Sequence, residues 1–339
     1  MHTSPDRPVR ARELNEGRQG HLLSFLRRRA LQWVPVLLVS SLVVFSIVHL
    51  LPGDPAVSLA GPDASTAVIE GLRHNLGLDR PLPLQYVSWL GRALRGDFGD
   101  SYTYHSSAAG LIFGRLPASL ELAVVAVIFA VLFAVPVGVI SAVWESGFVD
   151  RCLSSLTSLM ISTPNFWFGI LAILLFSVKL GWLPAGGSVD FTADPAVAVQ
   201  YIVLPGAALA VEGAATLARF TRGALLDVLN DDYIRTARAK GASALGVVGK
   251  HALGSALVPI VTMAGIVFGR TIGGAVIIET VFAWPGIGRL LVQSIGNRDY
   301  PVVQGVLLVL VLLFLVINLA VDLLYSTLDP RIRLEGRRA

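Results

Sequence analysis

Residues 31–51 are the stretch that most limits how this chain can fold, because none of the 21 carries a formal charge. At about 1.5 Å per residue, a helix of this length crosses a hydrocarbon core about 30 Å thick. The three arginines Arg27, Arg28 and Arg29 come before it, as they would before a cleaved signal. Signal peptides, however, have apolar runs of about 7 to 15 residues. The length therefore favours a transmembrane helix that is not removed.

The rest of the chain repeats this pattern and is too apolar for an ordinary soluble domain. Hydrophobic residues make up 54% of the 339 residues and charged residues 15%, and the mean hydropathy is +0.68. Further apolar spans lie near residues 118–144, 152–180, 201–218, 256–282 and 302–325. We therefore predict an all-α polytopic membrane protein with six transmembrane helices, which places both termini on one side.

Arginine and lysine are distributed unevenly between the two sets of connections. The set with 18 of them comprises residues 1–30, 145–151, 219–253 and the tail after Pro330. The set with seven comprises residues 52–117, 181–200 and 283–300. Cytoplasmic loops carry the excess of positive charge, so the first set is predicted to be cytoplasmic. The net charge of +4 is then a signal of topology and needs no nucleic-acid partner.

Two connections are too long to be simple turns. The external one contains LQYVSWLGRAL at helical spacing between Gly and Pro breaks, which predicts a small folded insert. The internal one has helical composition. The predicted organisation is a basic tail 1–30, a first helix 31–51, an extracytoplasmic insert 52–117, a core domain 118–328 that contains the 219–253 loop, and a cytoplasmic tail 329–339.

Residues suited to catalysis or metal binding are scattered along the chain. The single Cys152 excludes an internal disulfide, and the six histidines and three methionines do not cluster as metal ligands do. The stretch GVVGKH at 246–251 superficially resembles a phosphate loop, but Ala244 stands at its first glycine position and His251 at its Ser/Thr position. We predict no catalytic residue, metal site or bound cofactor in this chain.

A basic stretch, DDYIRTARAKG at 231–241, lies in the internal loop. At about 100° per residue, Tyr233, Ile234, Ala237 and Gly241 fall on one side of a helix and the arginines on the other. Small side chains permit close approach to another surface, whereas the basic side suits anionic lipid. On these grounds alone, docking to a partner and lying on the membrane remain equal alternatives.

The stretch DYIRTARAKGASALGVVGKHALGSALVPIVT at 232–262 resembles the cytoplasmic coupling loop, or EAA loop, of ATP-binding-cassette (ABC) importer permeases. The resemblance is closest to the dipeptide/oligopeptide branch. Matches in the same order are LLPGDPA (50–56), GDFGDSY (96–102), RLPASLELA (115–123), ETVFAWPGIGRLLVQSIGNRDYPVVQG (279–305) and VDLLYSTLDPRIR (321–333). Two departures are Gly254-Ser255, where the branch has Arg-Asn, and Arg-Thr-Ala in place of the wider superfamily's Glu-Ala-Ala.

This resemblance implies the type I ABC importer permease fold and one half of a pathway for di- or oligopeptides in the bacterial inner membrane. It implies three partners: a second homologous permease, ATPase subunits that bind ATP and Mg, and an extracytoplasmic solute-binding protein. Nickel, glutathione or another small solute remain alternative substrates, although His49 stands alone at a helix end. A membrane-embedded enzyme and a self-sufficient secondary transporter are the alternatives from other classes.

By position, the resemblance also implies the residues that dock onto the ATPase. They are Tyr233, Arg235, Thr236, Ala237, Ala239, Lys240 and Gly241. Arg270 and Glu212 lie inside apolar spans, where a central Arg costs about 2.5 to 3.5 kcal/mol. They are candidate pore-lining residues, with mutual pairing or snorkelling as the alternative.

Two further motifs have a physical interpretation. Gly265, Gly269 and Gly273 recur at four-residue spacing and predict close packing against another helix. Trp284, Pro285 and Gly286 predict a turn with the Trp at the headgroup belt. This turn and the insert are candidate contacts for the binding protein, and the alternative is that the turn only ends its helix.

Overall fold

The computed structural model describes residues 31–47, 55–61, 64–75, 77–241, 243 and 246–328. The predicted tails 1–30 and 329–339, and His49, lie outside the described residues. The chain divides into two compact units, Met1–Pro52 and Gly53–Ala339. In the first unit, helix α1 (Leu31–Ile47) is apolar, and the remainder of the predicted first span lies outside the described residues.

The second unit is built from helices in its described part. In chain order they are α2 (Pro55–Ala60), α3 (Thr66–Asn75), α4 (Leu82–Ala93), α5 (Ala108–Val143), α6 (Phe148–Ser162), α7 (Asn165–Ala172) with a π-helical continuation (Ile173–Lys179), α8 (Pro195–Leu229), α9 (Asp232–Ala239), α10 (Leu253–Val281), α11 (Ile287–Gly296) and α12 (Tyr300–Leu328). A π-helical turn, Val247–Ala252, leads into α10. Helix α4 confirms the helical spacing read in the predicted insert.

Four of these helices, α5, α8, α10 and α12, are long and apolar enough to cross a membrane. Helix α6 and the α7 segment pass the same test together, but they meet at 99°. The prediction of one continuous helix over 152–180 is therefore wrong. Pro164 disfavours a helical conformation at the residue before it, and Thr163 is extended. With α1 and this bent pair, the described helices agree with the predicted all-α fold of apolar spans.

Two spans are longer than the apolar pattern predicts. Helix α5 begins at Ala108, with the Ser107 side chain accepting from the Gly110 N–H, so its first turns lie in the predicted insert. Helix α8 continues to Leu229, so its last turns lie in the predicted coupling loop. Arg115 near the start of α5, and Arg219 and Arg222 near the end of α8, interrupt the apolar runs, which is why hydropathy alone placed the beginning of α5 too late and the end of α8 too early.

Close packing of α5 on α8 forms the centre of the described bundle. Ala126, Ala130, Ala134 and Gly138 recur at four-residue spacing on α5 and are all buried. A Cβ at Gly138 would lie 2.6 Å from the Thr221 Cβ, so only glycine lets the two backbones come this near. In a membrane, where apolar burial gives helices little drive to associate, such small-residue contacts hold them together.

The predicted glycine stripe on α10 divides into two parts. A Cβ at Gly265 would lie 2.7 Å from Val321, and one at Gly269 would lie 3.6 Å from Ile317, so both positions face α12. Gly273 has no such neighbour within 4 Å and lies on the exposed side of α10. Within the described part of the chain, the stripe therefore packs at its first two positions and not at its third.

Candidate coupling and translocation sites

Helix α9 and the two residues that follow it, Lys240 and Gly241, carry the residues implied to dock onto the ATPase; α9 is called the coupling helix below. Ile234 is 0% exposed and packs in a cluster with Leu217 and Leu225 of α8, and Ala237 is half-buried beside it. The residues left exposed are Tyr233, Arg235, Thr236, Ala239 and Lys240. Ile234 therefore anchors α9 to the bundle, and the basic side of the helix faces outward. The small face inferred from the sequence turns partly toward the chain's own core.

Tyr233 ties α9 to the beginning of α10. Its hydroxyl donates to the Ser255 hydroxyl oxygen at a distance of 3.0 Å. Ser255 is one of the two positions where the sequence departs from the dipeptide/oligopeptide branch, and the neighbouring Gly254 has open space around it. Although Ser255 differs from the residue usual in that branch, it still forms a hydrogen bond that holds the coupling helix.

Gly241 lies just beyond the end of the coupling helix, two residues after Ala239. Its φ is +83°, and a Cβ there would meet nothing within 4 Å. Helices commonly end with a residue in this left-handed conformation, which glycine adopts without steric cost. The residue is therefore needed for its backbone conformation, and among the described residues no neighbouring surface requires it to be small.

Arg270 on α10 and Glu212 on α8 are both exposed. Within the described part of the chain, neither forms a hydrogen bond or an ion pair, so the alternative in which they pair with each other is not seen in this structure. Their helices do touch beside them, because a Cβ at Gly213 would lie 2.6 Å from the Val267 side chain. Two opposite charges within apolar spans are thus left without a partner in the described part of the chain.

The Trp284-Pro285-Gly286 turn is built into the core of the unit. Trp284 is 1% exposed, and its indole N–H donates to the Ala118 carbonyl at 2.8 Å. The predicted position of its ring in the headgroup belt is therefore wrong, since the ring lies inside the protein. Gly286 is also buried, and of the three residues only Pro285 is partly exposed.

A buried carboxylate that the sequence did not single out organises this turn. Glu279 accepts a hydrogen bond from the Ser119 hydroxyl at 2.6 Å and another from the Arg289 N–H at 2.9 Å. The Ser119 hydroxyl oxygen in turn accepts from the Ile287 N–H at 2.8 Å. The carboxylate thus satisfies donors at the first turn of α11, where a negative charge is favourable. The visible signal is an acidic residue just before the Trp-Pro-Gly turn.

A second buried carboxylate joins two of the motifs quoted from the sequence. Asp299 accepts from the Ser101 hydroxyl and from the backbone N–H groups of Tyr102 at 3.1 Å and Thr103 at 3.2 Å. Burial, reinforced by the nearby Asp299, raises the pKa of Tyr102 to about 12, so this phenol stays neutral. Asp299 therefore fixes the GDFGDSY loop to the connection between α11 and α12.

A buried ion pair fixes the other end of the bundle. Asp150 of α6 receives two hydrogen bonds from the Arg222 guanidinium of α8, each 2.8 Å long. The Ser141 hydroxyl of α5 and the Ser146 N–H also donate to it. One carboxylate thereby connects three helices close to the loop that carries α9.

Membrane-length apolar helices define the class as a polytopic helical membrane protein. Charges are exposed inside two of its spans, as is typical of a translocation path, and an exposed basic helix lies between the same two spans. Family comparison makes the class specific. Residues 134–334 match the family described as binding-protein-dependent transport system inner membrane component, and residues 22–123 match the N-terminal model of such membrane components. The chain belongs to this family and is a multi-pass inner-membrane permease component of an ABC importer.

Relatives agree over nearly the whole length. The chain is 44% identical over 312 residues to glutathione transport system permease protein GsiC of Escherichia coli strain K12, covering 92% of this chain and 99% of the relative. The same protein of Salmonella choleraesuis matches equally well. Among solved structures, the inward-facing MetNI methionine ABC transporter matches with a TM-score of 0.54 and 24% identity, covering 65% of this chain and 96% of that one. The last likeness concerns the fold alone.

Proposed function

We propose that this permease carries di- or oligopeptides. The supporting observation is the 44% identity with glutathione permeases over almost the full chain, because glutathione is itself a small peptide with carboxylate and amino ends. Glutathione import is the nearest alternative within the same architecture, and import of nickel or another small solute is a more distant one.

The chain supplies half of the translocation pathway in this proposal, and a second homologous permease supplies the other half. ATP and Mg bind to separate ATPase subunits, and a solute-binding protein delivers the substrate from outside. Closure of the ATPase subunits moves the α9 helices and opens the pathway alternately to each side, as a shift between two populated states. This chain then has no ATPase site of its own, and both of its termini are cytoplasmic.

The exposed side of α9 is the proposed contact with the ATPase. Its support is geometric: Ile234 and the Tyr233–Ser255 hydrogen bond hold the helix on the bundle, while Arg235, Ala239 and Lys240 remain free of the core. A helix attached on one side and exposed on the other can transmit a push from a partner to α8 and α10.

A bulky residue on that exposed side tests this contact. Ala239→Trp adds volume where the ATPase would fit, so we expect normal membrane insertion, continued ATP hydrolysis and uptake lowered about tenfold or more, the effect of about 1.4 kcal/mol of lost contact energy. The measurement is transported substrate per ATP hydrolysed in vesicles that contain the full complex. Ala239→Ser, which adds little volume, is the matched control. Parental coupling in Ala239→Trp would exclude this face from the contact.

Competition experiments test the substrate. The same vesicles are given a labelled dipeptide together with unlabelled glutathione or a nickel salt. We expect dipeptide uptake that glutathione reduces and nickel leaves unchanged. Uptake of labelled nickel without any dipeptide uptake would contradict the peptide proposal and leave the permease assignment standing.

A further inference from the structure

We infer that Glu212 and Arg270 together form a two-point binding site for a zwitterionic substrate on the exposed side shared by α8 and α10. Arg270 binds the carboxylate end and Glu212 binds the ammonium end. This inference rests on the proposed translocation function and adds a specific site to it.

Helix contacts place the two charges at the same depth. Gly213 lies against Val267, and a Cβ at Gly274 would lie 3.7 Å from Leu209. The later residue of α10 thus contacts the earlier residue of α8, so the two helices run antiparallel at this crossing. Glu212 falls between the two contact positions of α8, and Arg270 falls between the two contact positions of α10.

Both side chains lie on the same side of the crossing. At about 100° per residue, Glu212 is rotated by about 80° and Arg270 by about 50° from the line of contact. Because the helices are antiparallel, these rotations lead to the same face of the pair. Arg219 of α8 and Gly273 and Ile277 of α10 are also exposed, as expected if the pair has one open face.

Lipid is a poor environment for that face. A charged residue in the middle of a membrane span is costly, and such residues normally face a water-filled cavity or a polar partner. Neither charge has a partner within the described part of the chain. Each is therefore available to a group that comes from outside it.

A zwitterion carries the two charges that are complementary to Arg270 and Glu212. The guanidinium fork of arginine binds a carboxylate through two parallel hydrogen bonds, and a glutamate carboxylate accepts from an ammonium group. An enclosed pocket is not required, because a residue on a transport path must bind its substrate weakly enough to release it.

Blocked peptides separate the roles of the two charges. The assembled importer is given trialanine, N-acetyl-trialanine and trialanine amide, each at a concentration that gives the same occupancy of the binding protein. We expect Glu212→Gln to lower the preference for trialanine over the N-acetylated peptide about tenfold, the size of one charge-assisted hydrogen bond. Its preference over the amide should not change. Arg270→Gln should show the reverse pattern.

Two matched variants serve as controls. Lys179→Gln and Glu145→Gln each remove one exposed charge away from the α8–α10 face, and both preferences should stay at the parental values. If the binding protein does not bind a blocked peptide, the preference for trialanine over that peptide is measured instead as a ratio of equilibrium binding constants, with the purified complex and without the binding protein.

Other outcomes overturn the inference. If each Gln variant slows all three peptides by the same factor, the charges serve the contact with the second permease. If neither preference changes, the two side chains do not touch the substrate. A parental complex that transports no peptide at all would instead contradict the proposed function.

Discussion

At the scale of single residues, the turn after α10 shows how a buried charge dictates its neighbours. Cβ atoms at Gly286 and Gly288 would lie 2.3 Å and 2.9 Å from atoms of the Glu279 carboxylate. Both glycines are therefore required by contact with this side chain. The Trp-Pro-Gly-Ile-Gly sequence thus forms a turn and also packs closely around the Glu279 carboxylate.

Gly288 gives the sharpest test of this packing. Its added Cβ would lie 2.5 Å from the Val276 Cα, which is backbone and cannot move aside cheaply. We expect Gly288→Ala to destabilise the permease by about 1 to 3 kcal/mol, the usual cost of overpacking. The measurement is thermal unfolding of the detergent-purified complex, followed by tryptophan fluorescence. Gly296→Ala is the control, since its Cβ meets nothing within 4 Å, and equal melting of the two variants would contradict the packing argument.

The sequence predicted part of this residue-scale chemistry. Proline and glycine indicated the turn, and the position of Arg270 within an apolar span marked it as a functional candidate. The role of Glu279 could not be predicted, because its partner Ser119 lies 160 residues away in the chain. Trp284 was placed at the membrane surface for the same reason, since its partner is the distant Ala118 carbonyl.

At the scale of helices, periodicity predicted which segments are helical more reliably than where they bend. The α6–α7 break was missed because average hydropathy over 152–180 carries no information on direction, and only the Thr163-Pro164 pair marks it. Helix α9 was predicted as a helix with two faces. Which of the two faces is buried could not be predicted, because Ile234 packs against Leu217 and Leu225 in a tertiary contact.

The joint between α5, α6 and α8 is expected to depend on Asp150. Asp150→Asn leaves the Arg222 guanidinium with a neutral partner and should destabilise the complex by about 2 to 3 kcal/mol. This is less than the about 3 to 5 kcal/mol typical of a fully buried pair, because the Arg222 side chain is 30% exposed. Thermal unfolding again measures the effect.

An exposed ion pair provides the control for that joint. The Arg235–Asp232 pair is 3.5 Å long and solvent-exposed, so Asp232→Asn should change the free energy of unfolding by less than about 1 kcal/mol. A parental melting temperature in Asp150→Asn would show that the carboxylate does not hold the three helices together.

At the scale of the whole molecule, composition and the number of apolar spans predicted the class and the all-α fold. They could not predict how the helices pack, since every span is apolar on most sides. Packing depends on small residues such as Gly138 and Gly206 at the α5–α8 contact and on three buried carboxylates. The open α8–α10 face is also a property of the whole bundle, because it emerges only once the other faces are covered.

Omission of single components tests the central claim most directly. The permease is reconstituted in proteoliposomes with its partner permease, the ATPase subunits and the binding protein. ATP is supplied on the side of the membrane where the ATPase subunits lie, and uptake of labelled peptide is measured. We predict uptake from the full set, and none when the ATPase, the binding protein or this chain is left out. Peptide uptake by this chain alone, driven by an ion gradient without ATPase, would contradict the account.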